Sequence, residues 1–302
     1  LLIQPKEIHQ RTGLVISIPL GLCYLAAVLR QKGHKVEILD CLAERYKHRE
    51  KRNGKYVYGL PDNEILACIK AFGPQLIGVS SRFSMQAEAT DDLCRIIKQN
   101  LPNIPIVTGG MHATVNTETL LAGGNVDFVL QGEADFTLTD LADALENQSD
   151  YSQIHGIGYK TREGQIIVKE KGTKNFIQDL DSIPFPARDL LKMDIYYKVG
   201  LTRGLDVTSK KNINLITSRG CPAKCSFCTI RSVWGRKFRS RSPENVLAEL
   251  EQIKNQFGAK HIQFEDDNLT HDIPRAKELF KGMIDKKLNL KFDTPNGVSL
   301  WR

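Results

Sequence analysis

Three cysteines, Cys221, Cys225 and Cys228, lie in the run Arg219-Gly220-Cys221-Pro222-Ala223-Lys224-Cys225-Ser226-Phe227-Cys228. The spacing is Cys-x-x-x-Cys-x-x-Cys, and it follows closely on the apolar stretch 213–217. Thiolates are the normal ligands of iron–sulfur clusters, so three of them on one short loop suit a cubane [4Fe–4S] cluster. No further cysteine follows Cys228, which leaves one iron open to hold another ligand. A structural zinc site wants four closed ligands in paired spacings, and here one pair is missing. A disulfide framework is not indicated, because the cysteines follow no secreted pattern. Cys23, Cys41, Cys68 and Cys94 are scattered through apolar segments and are expected to be small buried hydrophobes.

The elements that must position this loop can be read from periodicity. The first 150 residues alternate strand-like segments (1–4, 36–39, 76–80, 104–108, 128–131) with helical patterns (20–32, 63–72, 88–100, 117–121, 137–146). In 88–100, Ala89, Leu93, Ile96 and Ile97 fall on one helical face. Five strands joined by helices predict an α/β domain with a doubly wound, flavodoxin-like (Rossmann-type) sheet, whose ligands bind at the strands' carboxyl ends. Those ends are rich in small residues: Ser80-Ser81-Arg82-Phe83, Gly109-Gly110-Met111-His112 and Gly132-Glu133. Glycine there lets a bulky ligand approach the backbone, or simply makes a tight turn.

From 151 the texture changes. Segments 154–160 and 165–170 alternate around Thr161-Arg162-Glu163-Gly164 and predict a hairpin; a proline-stiffened connector follows at 179–188. The expected division is a domain at 1–150, hairpin and linker at 151–211, and a second domain at 212–302. In the second, Ser242-Pro243-Glu244 is a helix start, with serine as cap and proline first in the helix. A strand at 261–265 runs into Glu265-Asp266-Asp267-Asn268, then a helix at 274–286 leads to a strand at 288–292. This βαβαβ order opens a partial TIM-type barrel. A whole barrel needs roughly 200 residues, so the chain reads as a fragment truncated at its C-terminus, exposing sheet edge and core.

At 302 residues, 41% hydrophobic and 25% charged, the chain has the composition of a globular protein with room for about two domains. No apolar run approaches the roughly 20 residues of a membrane span, and no secretory pattern opens the chain. A reducing cytoplasm is therefore the expected setting. Much of the +7 net charge sits in two patches. One contains Lys47, His48, Arg49, Lys51 and Arg52; the other contains Arg236, Lys237, Arg239 and Arg241, beside Trp234 and Phe238. Cations interleaved with aromatics can bind nucleic acid, but solvated loops explain them as well, and a nucleic-acid partner is not expected. The second patch follows the cysteine loop closely enough to meet anionic ligand groups.

The cysteine motif, with Phe227 before its last cysteine, resembles that of the radical S-adenosylmethionine (SAM) enzymes. Ser81-x-Phe83, followed after residues 84–108 by Gly109-Gly110, resembles the nucleotide-tail tunnel of cobalamin-binding domains. Gly21-Leu22-x-Tyr24-Leu25-Ala26 before Gly33-His34-x-Val36, and Val126-Asp127-x-Val129 before Gly132-Glu133, resemble the cobalamin-type domains in front of radical SAM barrels. One departure matters. Mutase-type cobalamin domains carry Asp-x-His-x-x-Gly after the second strand, whereas this chain reads Asp40-Cys41-Leu42-Ala43-Glu44-Arg45. A lower cobalt ligand from this loop is therefore not expected, and His48 is best read as a solvated loop residue.

The resemblance implies that Cys221, Cys225 and Cys228 hold a [4Fe–4S] cluster, that SAM chelates its open iron, and that Phe227 backs the adenine. Glu265, Asp266 and Asp267 stand where many relatives have a Gly-Gly-Glu run that meets the SAM amino group, and a metal-free acidic loop is the plain alternative. Cobalamin would lie against Gly21, Ser80, Ser81, Gly109, Gly110, His112, Gly132 and Glu133. The implied activity is reductive cleavage of SAM to a 5′-deoxyadenosyl radical, with methylation of an unactivated carbon in a small-molecule or natural-product substrate. A flavodoxin or ferredoxin would supply the electron. A radical cyclase or rearrangement enzyme of tetrapyrrole or natural-product biosynthesis is the alternative, and a non-catalytic cobalamin or iron–sulfur sensor the alternative from another class. A nucleic-acid methylthiolase would need its own N-terminal cysteine triad, and Cys23, Cys41 and Cys68 are embedded in helix and strand patterns instead.

Overall fold

A computed structural model describes residues 1–9, 16–169, 176–199 and 209–299. The chain divides into two compact units, one of residues 1–14 and 21–176, the other of 15–20 and 177–302.

The elements of the first unit are, in order, β1 (Leu2–Gln4), β2 (Glu7–His9), α1 (Leu20–Gln31), β3 (Ile38–Asp40) and α2 (Cys41–Glu44). Next come β4 (Arg49–Arg52), β5 (Lys55–Tyr58), α3 (Asp62–Phe72), β6 (Ile77–Ser80), α4 (Ala87–Asn100) and β7 (Ile106–Gly109). Then follow α5 (Met111–Val115), α6 (Thr117–Ala122), β8 (Phe128–Leu130), α7 (Thr137–Glu146), β9 (Ile157–Lys160) and β10 (Ile166–Val168). One sheet runs β10-β9-β8-β7-β6-β1-β3. From β8 to β3 every pairing is parallel, so the five parallel strands stand in the flavodoxin-like order 2-1-3-4-5.

Why these segments form strands and helices is local. Ile3, Ile77, Ile106 and Val129 are fully buried, and on α4 Ala89, Leu93, Cys94 and Ile97 form the buried face that covers them. The hairpin expected between the domains is the edge of this sheet: β9 pairs antiparallel with β8 through Phe128↔Tyr159 and Leu130↔Ile157. Only part of the first basic patch is a loop. Arg49–Arg52 is β4, paired with β5, which also pairs with β2 in a small antiparallel sheet. Within the patch Arg52 is tied down by Glu50 and Asp62, while Lys47, Arg49 and Lys51 are exposed. Of the four scattered cysteines, Cys23, Cys41 and Cys94 are buried as expected, but Cys68 is exposed on α3. It lies on the turn of α3 that faces solvent, between the buried Ile65 and Ile69.

The second unit contains α8 (Met193–Val199), β11 (Asn212–Leu215), β12 (Ser218–Arg219), α9 (Ile230–Trp234), β13 (Arg239–Ser240), α10 (Pro243–Phe257), β14 (His261–Phe264), α11 (Ile273–Asp285) and β15 (Lys291–Asp293). Strands β11, β14 and β15 form a parallel sheet in that order, as consecutive βα repeats require. Helix α10 starts with the Ser242 side chain accepting from the Asn245 amide and with Pro243 in its first turn. Helix α11 starts likewise under Asp272. The two helices pack closely: a Cβ on Gly282 would come within 2.4 Å of the Leu247 side chain.

Candidate functional site

The cysteine loop leaves a rigid base. Residues 212–220 are all buried, whereas 222–227 are all exposed. Ser218↔Ser240 and Arg219↔Arg239 pair antiparallel, so β12 and β13 close the neck of the excursion that carries the cysteines and α9. Arg239 braces the neck by donating to the carbonyls of Ile177 (2.7 Å) and Trp234 (3.0 Å). Gly220 has φ +83°, and a Cβ there would lie 2.3 Å from the Lys237 carbonyl; only glycine fits this point. Beyond it Cys225 is exposed and Cys221 and Cys228 are half-buried, all three free thiols. The Cys228 amide donates to the Cys225 carbonyl (3.2 Å). Phe227 is 87% exposed. Three accessible soft donors on one short loop anchored at its neck fit an iron–sulfur cluster.

The acidic run emerges beside this loop, because Leu215 and Phe264 are register partners at the carboxyl ends of adjacent strands. Its three carboxylates differ in surroundings. Asp266 is buried and accepts from the Thr217 amide (3.1 Å), the Thr217 hydroxyl (2.7 Å) and the Ser218 hydroxyl. Burial pushes its carboxyl above the ordinary range, against the pull of those donors and of the Arg275 charge. Arg275 itself donates to the carbonyls of Thr217 (3.1 Å) and Arg241 (2.8 Å). Asp266 is thus committed to holding the chain just before the cysteine loop. Asp267 is half-buried, and its Oδ2 is buried without a hydrogen-bond partner among the described residues. Burial, helped by the neighbouring Asp266 charge, pushes its carboxyl up to about 6. Glu265 is half-buried, with its carbonyl accepting from Asn296 (3.1 Å).

Two residues of the second basic patch are structural, contrary to the reading of the patch as a ligand-facing surface. Arg241 is 5% exposed, and its guanidinium donates to Glu249 (2.5 Å) and to the Ile216 carbonyl (3.0 Å). Arg188 donates to the other Glu249 oxygen (2.7 Å) and to the Asn214 carbonyl (2.9 Å), both side chains being fully buried. Arg239 is the neck brace described above. A signal for this network was present in the sequence: Glu249 shares the stripe of Val246, Leu250 and Ile253 on α10, and Arg275 sits beside Ala276 and Leu279 on α11. A charge on an apolar helical face needs a buried partner.

In the first unit, three strand-to-helix turns are interlaced at the carboxyl ends of β6, β7 and β8. The Ser81 carbonyl accepts from the His112 amide (3.1 Å), and the Ser81 amide donates to the Gly109 carbonyl (2.8 Å). Gly110 has φ +113°, and a Cβ would meet the Ser81 carbonyl at 2.7 Å. The Thr114 hydroxyl donates to the Gly110 carbonyl (2.8 Å) and accepts from the Gly132 amide (2.9 Å). Thr114, which ties two of the turns together, carried no motif and was missed in the sequence. The structure therefore brings Ser81, Gly109, Gly110, His112 and Gly132 into one cluster. Ser80 adjoins it, its carbonyl accepting from Thr90 (3.2 Å), and Glu133 is buried next to Gly132. The Ser81 hydroxyl is buried without a partner among the described residues. His112 is near Ser84 (3.0 Å) and Asn116 (3.1 Å), with burial lowering its pKa. Gly21, next to the first residue of α1, is exposed, and a Cβ there would touch nothing within 4 Å, so no protein contact demands glycine at that point. After β3, Asp40 caps α2 through the amides of Leu42 and Ala43 (3.0 Å each). The His48 ring contacts the Gly59 carbonyl (2.9 Å).

Residues 13–142 match the B12 binding domain family and residues 215–299 the Radical SAM superfamily. The chain is 33% identical over 305 residues to cytidylyl-2-hydroxyethylphosphonate methyltransferase of Streptomyces wedmorensis, covering 94% of this chain and 57% of that protein. It is 29% identical to the anaerobic magnesium-protoporphyrin IX monomethyl ester cyclase of Synechocystis, covering 90% of this chain and 50% of the cyclase. Among solved structures, the radical SAM methyltransferase TsrM of Kitasatospora setae, with cobalamin and a [4Fe–4S] cluster bound, superposes with a TM-score of 0.69 at 18% identity. That match covers 95% of this chain and 52% of TsrM. The chain thus spans about half the length of the relatives it matches. With a B12-binding part followed by a radical SAM part, each on its own α/β unit, the chain belongs to the radical SAM proteins that carry an N-terminal cobalamin-binding domain.

Proposed function

We propose that this chain forms the cofactor-carrying part of a cobalamin-dependent radical SAM methyltransferase acting on an unactivated carbon of a small-molecule substrate. The observation that carries this reading is the placement, at the carboxyl ends of adjacent strands, of a three-thiol loop and a run of carboxylates. When bound, the cluster supplies the electron for reductive cleavage of SAM to a 5′-deoxyadenosyl radical, and cobalamin supplies a methyl carrier. This chain's residues bind and orient these groups. Cys221, Cys225 and Cys228 would hold the cluster, and the exposed Phe227 would cover the adenine. Asp267, with its unpartnered oxygen, and Glu265 receive the SAM ammonium. Asp266 acts on the same site through Thr217 and Ser218.

In the first unit, the unpartnered Ser81 hydroxyl and the bare backbone at Gly109, Gly110 and Gly132 receive the cobalamin tail. Gly21, Ser80, His112 and Glu133 shape the surrounding wall. No helix among the described residues is long and apolar enough to cross a membrane, and a reducing cytoplasm with a flavodoxin or ferredoxin donor suits the cluster.

The test is iron and cobalt content of the full-length protein after anaerobic reconstitution with cobalamin, beside a Cys221→Ala/Cys225→Ala/Cys228→Ala variant. About four irons per chain and one cobalt, with only iron lost in the variant, are the expected result. Iron without cobalt refutes the cobalamin half. The similarity to the magnesium-protoporphyrin cyclase favours one second reading, cyclisation without methyl transfer. S-Adenosylhomocysteine formed together with 5′-deoxyadenosine indicates methylation, and 5′-deoxyadenosine alone indicates the cyclase.

A further inference from the structure

Between Gly220 and Ser242 the chain has six cations, Lys224, Arg231, Arg236, Lys237, Arg239 and Arg241, and no acidic residue. Two of these, Arg239 and Arg241, are buried in the neck and the ion network. The other four are exposed. Lys237 donates to Gln178 (2.6 Å); Lys224, Arg231 and Arg236 have no ion-pair partner among the described residues. Arg236 and Lys237 line a cleft of about 600 Å³ together with Pro222, Phe238, His271 and Asp272. Pro222 is the residue next to Cys221, so the cleft opens on the cysteine loop itself. Phe238 and His271 form its ring-lined wall, with centroids 4.7 Å apart. Asp272, the only carboxylate of the lining, is occupied in capping Arg275 at the start of α11 (3.1 Å).

We propose that this cationic cleft is the docking surface for an acidic one-electron-transfer protein. The inference rests on the reading that the three thiols hold a redox cluster. A reductant must approach the cluster closely, and the side of this unit where the cysteine loop meets solvent presents unneutralised positive charge beside an aromatic wall. Long-range attraction between opposite charges raises encounter rates and is weakened by salt. Electron-transfer encounters are small and weak by nature, so a few exposed cations suffice. In the step itself one electron leaves the reduced donor, which is oxidised by one equivalent. The cluster is reduced by one equivalent, and no bond or proton changes on this chain. Nucleic acid would use the same cations through phosphate contacts, but an open cleft that includes Pro222 of the cysteine loop lies where an electron donor has to approach, which favours the protein donor.

The experiment uses the full-length, anaerobically reconstituted protein and an acidic flavodoxin as probe. Binding of the oxidised flavodoxin is followed by fluorescence anisotropy. Cluster reduction by its hydroquinone is followed by stopped-flow absorbance, and reduction by dithionite serves as the small-molecule reference. An Arg231→Glu/Arg236→Glu variant is compared with the charge-matched Lys32→Glu/Lys70→Glu, whose lysines are exposed on the first unit. The expected result at low salt is a loss of about tenfold or more in flavodoxin affinity and reduction rate for the first variant only, a gap that closes as salt rises. Iron content and dithionite reduction stay at wild-type values. Equal behaviour of both variants overturns the proposal, as does a parallel fall in dithionite reduction. So does binding of single-stranded DNA that the first variant abolishes while flavodoxin reduction is unchanged. Absence of iron in the wild-type protein overturns the cluster reading itself, and is thereby distinguished from failure of the docking surface alone.

Discussion

Asp266 offers a sharp test of how the cysteine loop is held. Replacing it by alanine removes an acceptor from the Thr217 amide, the Thr217 hydroxyl and the Ser218 hydroxyl, all in the buried interior. It also removes one of three carboxylates whose charge acts on the Arg275 guanidinium, Asp272 and Asp181 remaining. A buried polar group stripped of its partner costs about 1–3 kcal/mol, and breaking a buried ionic arrangement by removing one side costs about 3–5 kcal/mol. Arg275 keeps its two carbonyl acceptors and two other carboxylates nearby, so the three stranded donors set the expected loss, about 3–5 kcal/mol. Urea unfolding followed by tryptophan fluorescence is the assay, since both tryptophans, Trp234 and Trp301, lie in the second half of the sequence. With a slope of about 2 kcal/mol/M the midpoint moves down by roughly 2 M. Adding Thr217→Val and Ser218→Ala to Asp266→Ala removes two of the stranded hydroxyls and should recover about 2 kcal/mol. A single-variant loss below about 1 kcal/mol, or no recovery in the triple variant, refutes the view that Asp266 clamps the chain ahead of Cys221.

Other outcomes follow from the same geometry. The Asp267 carboxyl is raised in the folded state, from 3.8 to about 6, so the folded protein takes up a proton there as pH falls through 6 while the unfolded chain does not. Its contribution to stability therefore rises on acidification and is complete below about pH 4. Asp267→Asn should stabilise the protein at pH 7, with the difference from wild type vanishing near pH 4 in parallel denaturation curves; a variant destabilised at pH 7 contradicts this. Gly220→Ala places a Cβ against the Lys237 carbonyl at positive φ and should lose most iron loading in a colorimetric iron assay, because the loop can no longer leave its neck in the same direction. Ser81→Ala removes a hydroxyl that has no partner, so thermal stability should change by less than about 0.5 kcal/mol while cobalamin affinity in equilibrium dialysis falls. Unchanged affinity removes Ser81 from the proposed cobalamin wall.

Much of this protein is written in short-range pattern. The thiol spacing of Cys221, Cys225 and Cys228, the alternation that makes β1, β3, β6, β7 and β8, and the buried stripe of α4 depend on chemistry and sterics within a few residues. So do the serine and proline at the start of α10. A hairpin at 154–170 was legible for the same reason, but not that it joins β8, since pairing partners are chosen by free edges elsewhere in the fold. Charge was harder to read. Arg239 and Arg241 look in the sequence like two more members of an exposed basic run with Arg236 and Lys237. Only folding separates them, because Arg241 meets Glu249, 8 residues further on in α10, and Arg239 meets carbonyls that include Ile177, 62 residues away. Asp266 and Asp267 are neighbours of one residue type. Yet Asp266 faces donors 48 and 49 residues earlier in the chain, and Asp267 is left with a buried, unpartnered oxygen. Residue type and spacing determined which atoms can do chemistry here. Which of them are still free to do it was decided by the tertiary structure, because a buried charge takes whatever partner the packing brings within hydrogen-bonding distance, and sequence separation places no limit on that.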